Sequence, residues 1–145
     1  MPLSDFIPES GQRRIAQAIT EAERRTSGEI CVHATPHCAT DPVEAAIATF
    51  NRLELFRTQR RNAVLIYVAY ADRRLAIVGD QGINNVVSPD YWDDVVAQLT
   101  LRLRAGRPVD GLCEAIATLG ERLQEFFPAE RNDINELSNE ITFED

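Results

Sequence analysis

The sequence predicts one α/β domain, a three-layer α/β/α sandwich in which a small mixed sheet lies between about four helices. Residues 63–70 are consecutive apolar or aromatic residues, which indicates a strand buried on both faces. A polar turn separates this run from a second apolar run at residues 75–78, and that spacing predicts a hairpin. Helical periodicities on both sides of the hairpin, in a chain of 145 residues, can cover it without a second domain.

Two helices and a strand are predicted before the hairpin. Residues 1–7 form a lead, and apolar residues at helical spacing predict a first helix over residues 8–25. Residues 29–35 alternate as a strand with Ile30, Val32 and Ala34 on one face. Asp41-Pro42, an N-cap followed by proline, begins a second helix that extends to about residue 57. Its inner face is predicted to contain Ile47, Phe50 and Leu53. A strand, a helix and a strand in this order predict a parallel β-α-β unit.

Two further helices and a tail are predicted after the hairpin. Ser88-Pro89 repeats the signal of a cap followed by proline and begins a third helix, which Gly106 and Pro108 close. The predicted inner face of this helix is Trp92, Val95, Val96, Leu99 and Leu103. A fourth helix covers residues 109–127, with an inner stripe of Leu112, Ile116, Leu119, Leu123 and Phe126. The tail, residues 131–145, is acidic but interleaved with apolar residues, which favours a segment that is ordered or docked on a partner.

Composition excludes some classes of function. A net charge of -8 and a pI near 4.8 leave no basic field for nucleic acid. No stretch has the length and apolar character of a membrane span or a secretory signal, so we expect a cytoplasmic protein with reduced thiols. Cys31, His33, His37 and Cys38 do not have the spacing of a zinc site.

Candidate ligands fall at two ends of the predicted sheet, which we call the first and second pole. The first pole is the carboxyl end of the two parallel strands, where open α/β sheets bind ligands. It contains Asp41, His37, Asp72, Arg73 and Arg74. Asp41 and Asp72 suit a hard cation such as Ca²⁺ or Mg²⁺, and the two arginines suit a phosphoryl group. The alternative is that Asp41 is only an N-cap and Asp72 only a turn residue.

The second pole is the opposite end of the sheet and carries Glu29, Asn62 and Asp80, with Gly79 and Gly82 beside them. Glu29 and Asp80 are its candidate metal ligands, and the glycines allow backbone groups to approach a ligand closely. The alternative is an ion pair between Arg61 and Asp80 that needs no ligand. Because an extended strand of about 26 Å separates Asp72 from Asp80, these two carboxylates cannot hold the same ion.

Four stretches in order resemble the TPM domain family, the domain of YgcG-type bacterial proteins and of thylakoid-lumen proteins of photosystem II repair. They are TSGEI at residues 26–30, RN followed by VLIYVA at residues 61–69, DRR followed by LAIVGDQGI at residues 72–83, and NELSNEITF at residues 135–143. The chain is similar to a soluble, stand-alone branch of that family. The resemblance implies an α/β/α sandwich, calcium binding and, in some members, a weak acid-phosphatase activity.

Three functions follow from these observations. The first is a soluble TPM-domain protein that binds a divalent cation, calcium by resemblance, and acts as a binding or assembly module. The second is a metal-assisted phosphomonoesterase in which Asp72 and Asp41 hold the ion while Arg73 and Arg74 stabilise the phosphoryl charge. In the third, these residues are structural and an unidentified protein partner binds the tail.

Overall fold

A computed structural model of the chain describes residues 2–130 and 137–144. In this part of the chain the sheet has four strands in the order β3-β2-β1-β4. They are β1 (Glu29–Thr35), β2 (Ala63–Ala69), β3 (Arg74–Gly79) and β4 (Thr142–Phe143). Strand β1 is parallel to β2 and to β4, whereas β2 and β3 form the antiparallel hairpin. The mixed sheet and its parallel β-α-β unit confirm the predicted fold class.

Six α-helices surround the sheet in the described residues. They are α1 (Leu3–Phe6), α2 (Glu9–Glu23), α3 (Pro42–Arg52), α4 (Gln81–Asn84), α5 (Asp93–Arg104) and α6 (Pro108–Phe126). None of them combines the length and the apolar character that crossing a membrane requires. The proline of the Asp41-Pro42 pair opens α3, and the Asp41 carboxylate accepts hydrogen bonds from the backbone N–H groups of Val43 and Glu44, as the capping signal predicts.

The sheet separates two apolar clusters, so both faces of β1 and β2 are buried. On one face, Ile30, Val32 and Ala34 pack with α2, α5 and α6. On the other face, Cys31 and Leu65 pack with Phe50 of α3 and with Leu137 of the tail. This arrangement explains why the 63–70 run contains no charged residue: the central strand has helices on both sides.

Four details of the helices differ from the predictions. Helix α3 ends at Arg52 instead of residue 57, because Glu54 adopts a left-handed backbone (φ 55°) and a short 3₁₀ turn, Leu55–Arg57, follows. Ser88-Pro89 does not begin a helix: the chain turns there and α5 starts at Asp93. The predicted inner face of α3 is also wrong at Ile47, which is 50 % exposed, as is that of α6 at Phe126, which is 41 % exposed.

The described part of the tail packs against the chain itself. Strand β4 extends the sheet beside β1, and Leu137 and Ile141 are buried. The Glu144 backbone N–H donates to the Ala34 carbonyl at 3.0 Å. Strand β4 is therefore an edge of the sheet and residues 137–141 lead into it, whereas residues 131–136 of the predicted tail lie outside the described residues. The lead contributes too, because Leu3 of α1 and the following Ile7 join the core.

Candidate functional site

The first pole is organised by Asp72, which lies in the turn of the β2-β3 hairpin. Its carboxylate accepts a hydrogen bond from Nδ1 of His37 at 2.8 Å and one from the backbone N–H of Cys38 at 2.9 Å. The hydrogen bond from His37 is the main cause that lowers the pKa of Asp72 below its usual value, and the Cys38 N–H adds to it. Asp72 thus ties the loop after β1 to the hairpin turn.

The other first-pole residues do not join Asp72 in one donor set. The Asp41 carboxylate caps α3, and no hydrogen bond or ion pair in the described part of the chain connects it to Asp72. Arg73 adopts a left-handed backbone (φ 56°) and Arg74 begins β3, both with exposed side chains. The side chain of His37 is 74 % exposed. Because Nδ1 faces a carboxylate, which only accepts, Nδ1 carries the proton and Nε2 is available to solvent.

At the second pole Asp80 forms the ion pair that the sequence offers as the alternative to a metal ligand. The Arg61 guanidinium donates to both carboxylate oxygens, through Nε at 2.7 Å and through Nη2 at 2.9 Å. Asp80 also accepts from the backbone N–H of Gln81 at 2.7 Å, and its side chain is 5 % exposed. Its negative charge is thereby balanced by a bidentate partner. Asp80 acts as the cap of α4 and as the clamp between the start of β2 and the end of β3.

Glu29, the other second-pole carboxylate, lies at the buried start of β1 beside a residue that sequence reasoning missed, Glu23. Glu23 closes α2, and its Oε2 accepts from the backbone N–H of Ile30 at 2.9 Å. Burial raises the pKa of Glu23 from 4.5 to about 7, and the charge of Glu29 contributes to the increase. A carboxylate at the C-terminus of a helix is disfavoured by the helix dipole, and this was the available sequence signal.

The tail covers these two carboxylates. Oε1 of Glu29 accepts from the backbone N–H of Leu137 at 2.9 Å, and the Asn139 side chain hydrogen-bonds to Glu23. Asn62 lies nearby, since its backbone carbonyl accepts from the Glu29 backbone N–H at 3.3 Å. Its side chain is buried, and Nδ2 has no partner among the described residues. The second pole therefore offers carboxylate and amide oxygens in a largely buried place. Within the described ranges no three acidic, histidine or cysteine side chains come together as a metal cluster.

Cys31 and His33, whose spacing with His37 and Cys38 does not fit zinc, have structural roles. Burial raises the pKa of the Cys31 thiol to about 12, and burial also lowers the pKa of His33 to about 4. Nδ1 of His33 lies 2.7 Å from Oγ1 of Thr142 in β4. At neutral pH the Cys31 thiol is therefore protonated, which suits a core residue. The His33 imidazole is neutral, which suits a residue that anchors the edge strand β4.

The fold and these two poles define a class of protein, an α/β/α sandwich domain whose polar residues gather at the two ends of a short mixed sheet. Comparison with known proteins identifies the family within that class. The sequence model of the TPM domain matches residues 3–122. The chain therefore belongs to the TPM domain family.

Solved structures agree with this assignment. The NMR structure of the BA42 protein from the psychrophilic bacterium Bizionia argentinensis has 38% sequence identity and a TM-score of 0.86, with 93% of each chain covered. The solution NMR structure of the N-terminal domain of the cg2496 protein from Corynebacterium glutamicum has 12% identity and a TM-score of 0.64. That match covers 89% of this chain and 82% of the other, and at this identity it shows the fold alone. A search of curated proteins found no match.

Proposed function

We propose that this TPM domain is a binding module that holds a divalent cation, Ca²⁺ or Mg²⁺, at the second pole, with Glu23 and Glu29 as its carboxylate ligands. The observation that supports the proposal is the proximity of these two acids at the buried start of β1, where the pKa of Glu23 rises to about 7. A carboxylate that retains a proton near neutrality in the field of another carboxylate also gains from a cation that replaces the proton.

The chemistry of the donors fits a hard cation. Glu23 and Glu29 supply carboxylate oxygens, and the amides of Asn62 and Asn139 lie at the same end of the sheet. Oxygen ligands of this kind are those that Ca²⁺ and Mg²⁺ prefer. Asp80, by contrast, is balanced by Arg61, so it supports the second pole without being one of the proposed ligands.

Calorimetric titration with CaCl₂ and MgCl₂ tests the cation proposal. We expect binding by the wild-type chain that strengthens between about pH 5.5 and pH 7.5, because Glu23 must lose its proton to bind. Glu23→Gln should weaken binding about tenfold or more, since it removes a charged ligand. Glu21→Gln is the matched control, because Glu21 lies on the same helix but is exposed and paired with Arg24.

The same titration distinguishes the two poles. If Asp72→Asn abolishes binding while Glu23→Gln leaves it unchanged, the cation lies at the first pole and the ligand assignment is wrong. If neither ion binds at millimolar concentration to the wild-type chain, the cation proposal fails altogether.

A second candidate function, phosphomonoester hydrolysis, is favoured by one observation at the first pole. The His37–Asp72 hydrogen bond is the arrangement in which a carboxylate orients an imidazole as a general base. In this proposal His37 Nε2 takes a proton from the water that attacks phosphorus, the bond from phosphorus to the ester oxygen breaks, and the departing oxygen takes up the proton from His37. Arg73 and Arg74 stabilise the phosphoryl charge. The sequence assigns an ion to Asp72 and Asp41, but these two carboxylates do not form one donor set among the described residues, so this second candidate rests on the His37–Asp72 pair and not on a cation.

Hydrolysis of p-nitrophenyl phosphate tests this second candidate. His37→Asn should reduce kcat about a hundredfold, the loss expected for a general base. Asp41→Asn distinguishes a role of a metal ion from that of the imidazole. A fall in the rate with Asp41→Asn and with chelator would show that the ion is required. An unchanged rate would assign catalysis to the His37–Asp72 pair. Turnover that survives His37→Asn and Asp72→Asn would exclude the first pole as its source.

A further inference from the structure

Strand β3 is at one edge of the sheet, and the backbone groups on its outer side follow a regular pattern although the side chains of Leu75 and Ile77 are buried. The Asp80 N–H donates to the Ala63 carbonyl at 2.9 Å, which makes these two residues a hydrogen-bonded pair of the antiparallel ladder. Since such pairs alternate, Leu75, Ile77 and Gly79 direct their N–H and C=O groups away from β2. Within the described residues, one of these outward-facing groups has a hydrogen-bond partner: the Gly79 carbonyl accepts from Nδ2 of Asn84 at 3.1 Å.

Apolar walls stand on both sides of this edge, and we call the space between them the β3 groove. Val43 and Ile47, one turn apart on α3, form one wall and are 49 % and 50 % exposed. Val87, Trp92 and Val96 form the other wall. The groove has a volume of about 400 Å³ along β3. A second cavity of about 300 Å³ shares Ile47, Val78, Gly79 and Asn84 with it and continues past the end of the strand.

The ionisable residues that line the β3 groove are acidic. Of the residues that line the two cavities, Asp80 and Asp93 are the ionisable ones, and no arginine lines either cavity. Asp80 is balanced by Arg61, whereas the described contacts give Asp93 no cationic partner. The chain as a whole carries a net charge of -8. An occupant with a basic side chain is therefore electrostatically complementary to the groove.

We propose that the β3 groove binds an extended segment of a partner protein, which adds a strand to the outer edge of β3. The free N–H and C=O groups of Leu75 and Ile77 would pair with the backbone of a segment of about five residues. Alternate side chains of that segment would contact the two apolar walls, and a basic side chain would pair with Asp93. This site lies at a different edge of the sheet from the proposed cation ligands and does not depend on them.

A second copy of this chain fits the groove less well than an extended segment. The β3 edge lies between the side chains of α3 on one side and those of Trp92 and Val96 on the other. In a pairing of two such edges the walls of each copy would have to fit against those of the other, whereas an extended segment brings no walls of its own. Two copies would also place like charges together, since each carries Asp93 at the groove and a net charge of -8. A flexible segment that is narrow and basic avoids both costs.

Selection from a phage-displayed peptide library against the folded chain tests the proposal. We expect enrichment of peptides that alternate β-branched residues and contain Arg or Lys. The best peptide, made synthetically, is then titrated into ¹⁵N-labelled protein. The Leu75, Ile77 and Gly79 amides should shift and gain protection from hydrogen exchange, because these are the outward-facing groups. The same peptide N-methylated at alternate residues should bind about tenfold more weakly or worse, since it cannot complete the ladder.

Surface variants make the test specific to the groove. Ile47→Arg should weaken peptide binding about tenfold or more through loss of one wall and through charge repulsion. Leu101→Arg, the matched control, changes a residue that is 61 % exposed and lies outside the lining of the groove. It should leave the affinity within about twofold. Glu23→Gln should also leave it unchanged, which keeps this test separate from that of the cation.

Three outcomes would overturn the proposal. One is a selection in which no peptide binds tighter than about 1 mM. Another is equal affinity for the N-methylated peptide, because the backbone ladder would then play no part. The third is a dimer in sedimentation velocity that Ile47→Arg dissociates, which would assign the groove to a second copy of the chain.

Discussion

Replacing Gly82 by alanine should lower the free energy of unfolding by about 3 kcal/mol, because the new methyl group has no room. A Cβ at this position would meet the backbone carbonyl oxygens of Arg60 and Arg61, the latter at 2.7 Å. Both are backbone atoms and cannot rotate away as the end of a side chain can. The Arg61 carbonyl is also held in place, since it accepts from the Gly82 N–H at 2.8 Å and the Arg61 side chain is held by Asp80. Relief of the clash would break this connection between α4 and the segment that leads into β2.

Urea denaturation followed by circular dichroism measures this change, and Gly106→Ala is its control. Gly106 has a left-handed backbone (φ 74°), but a methyl group added to it would meet no atom within 4 Å. Its substitution should therefore cost about 1 kcal/mol of backbone strain. Equal losses for the two variants would show that the Arg60–Arg61 backbone yields easily and that the second pole is not rigid.

Glu23→Gln should make the chain more stable at neutral and alkaline pH. The pKa of Glu23 is raised in the folded state from 4.5 to about 7, so between these values the folded chain binds a proton that the unfolded chain has lost. The free energy of unfolding therefore falls as pH rises through this window. Each pKa unit corresponds to about 1.4 kcal/mol, and after allowance for partial exposure the loss is roughly 2–3 kcal/mol. Glutamine cannot ionise, so the variant avoids this loss.

The measurement is the difference in unfolding free energy between Glu23→Gln and wild type, in chelator, from about pH 4 to pH 8. The difference removes the contributions of other groups, among them His33, whose lowered pKa of about 4 acts in the opposite direction by destabilising the folded chain in acid. We expect a difference near zero at the acidic end and roughly 2–3 kcal/mol in favour of the variant at the alkaline end. Glu21→Gln should show no such trend, and a difference for Glu23→Gln that is constant with pH would contradict the buried-acid assignment.

The candidate site was predictable only where a local signal existed. The cap at Asp41 and the turn at Asp72 follow from residue types at fixed positions along the chain, and the Arg61–Asp80 pair follows from the hairpin that joins neighbouring runs of the sequence. The structure contains each of them. The His37–Asp72 bond joins two turns whose distance depends on the register of β1 with β2. Glu23 is apparent only after folding, because α2 ends against the start of β1 and places this acid beside Glu29.

Local sequence patterns are enough to specify the layers of this protein: the uninterrupted apolar run at residues 63–70, the hairpin after it and the amphipathic helices around it predict a buried mixed sheet. Apolar periodicity depends on residues that are close together in the sequence, so it can be recognised without the folded structure. The buried side of α3, the position of the tail and the open edge of the sheet emerge only from packing. Ile47 has the same side chain whether it faces a core or the β3 groove, and the packing of α3 against β3 makes it a wall. Such choices depend on contacts between residues distant in sequence, which no local pattern encodes.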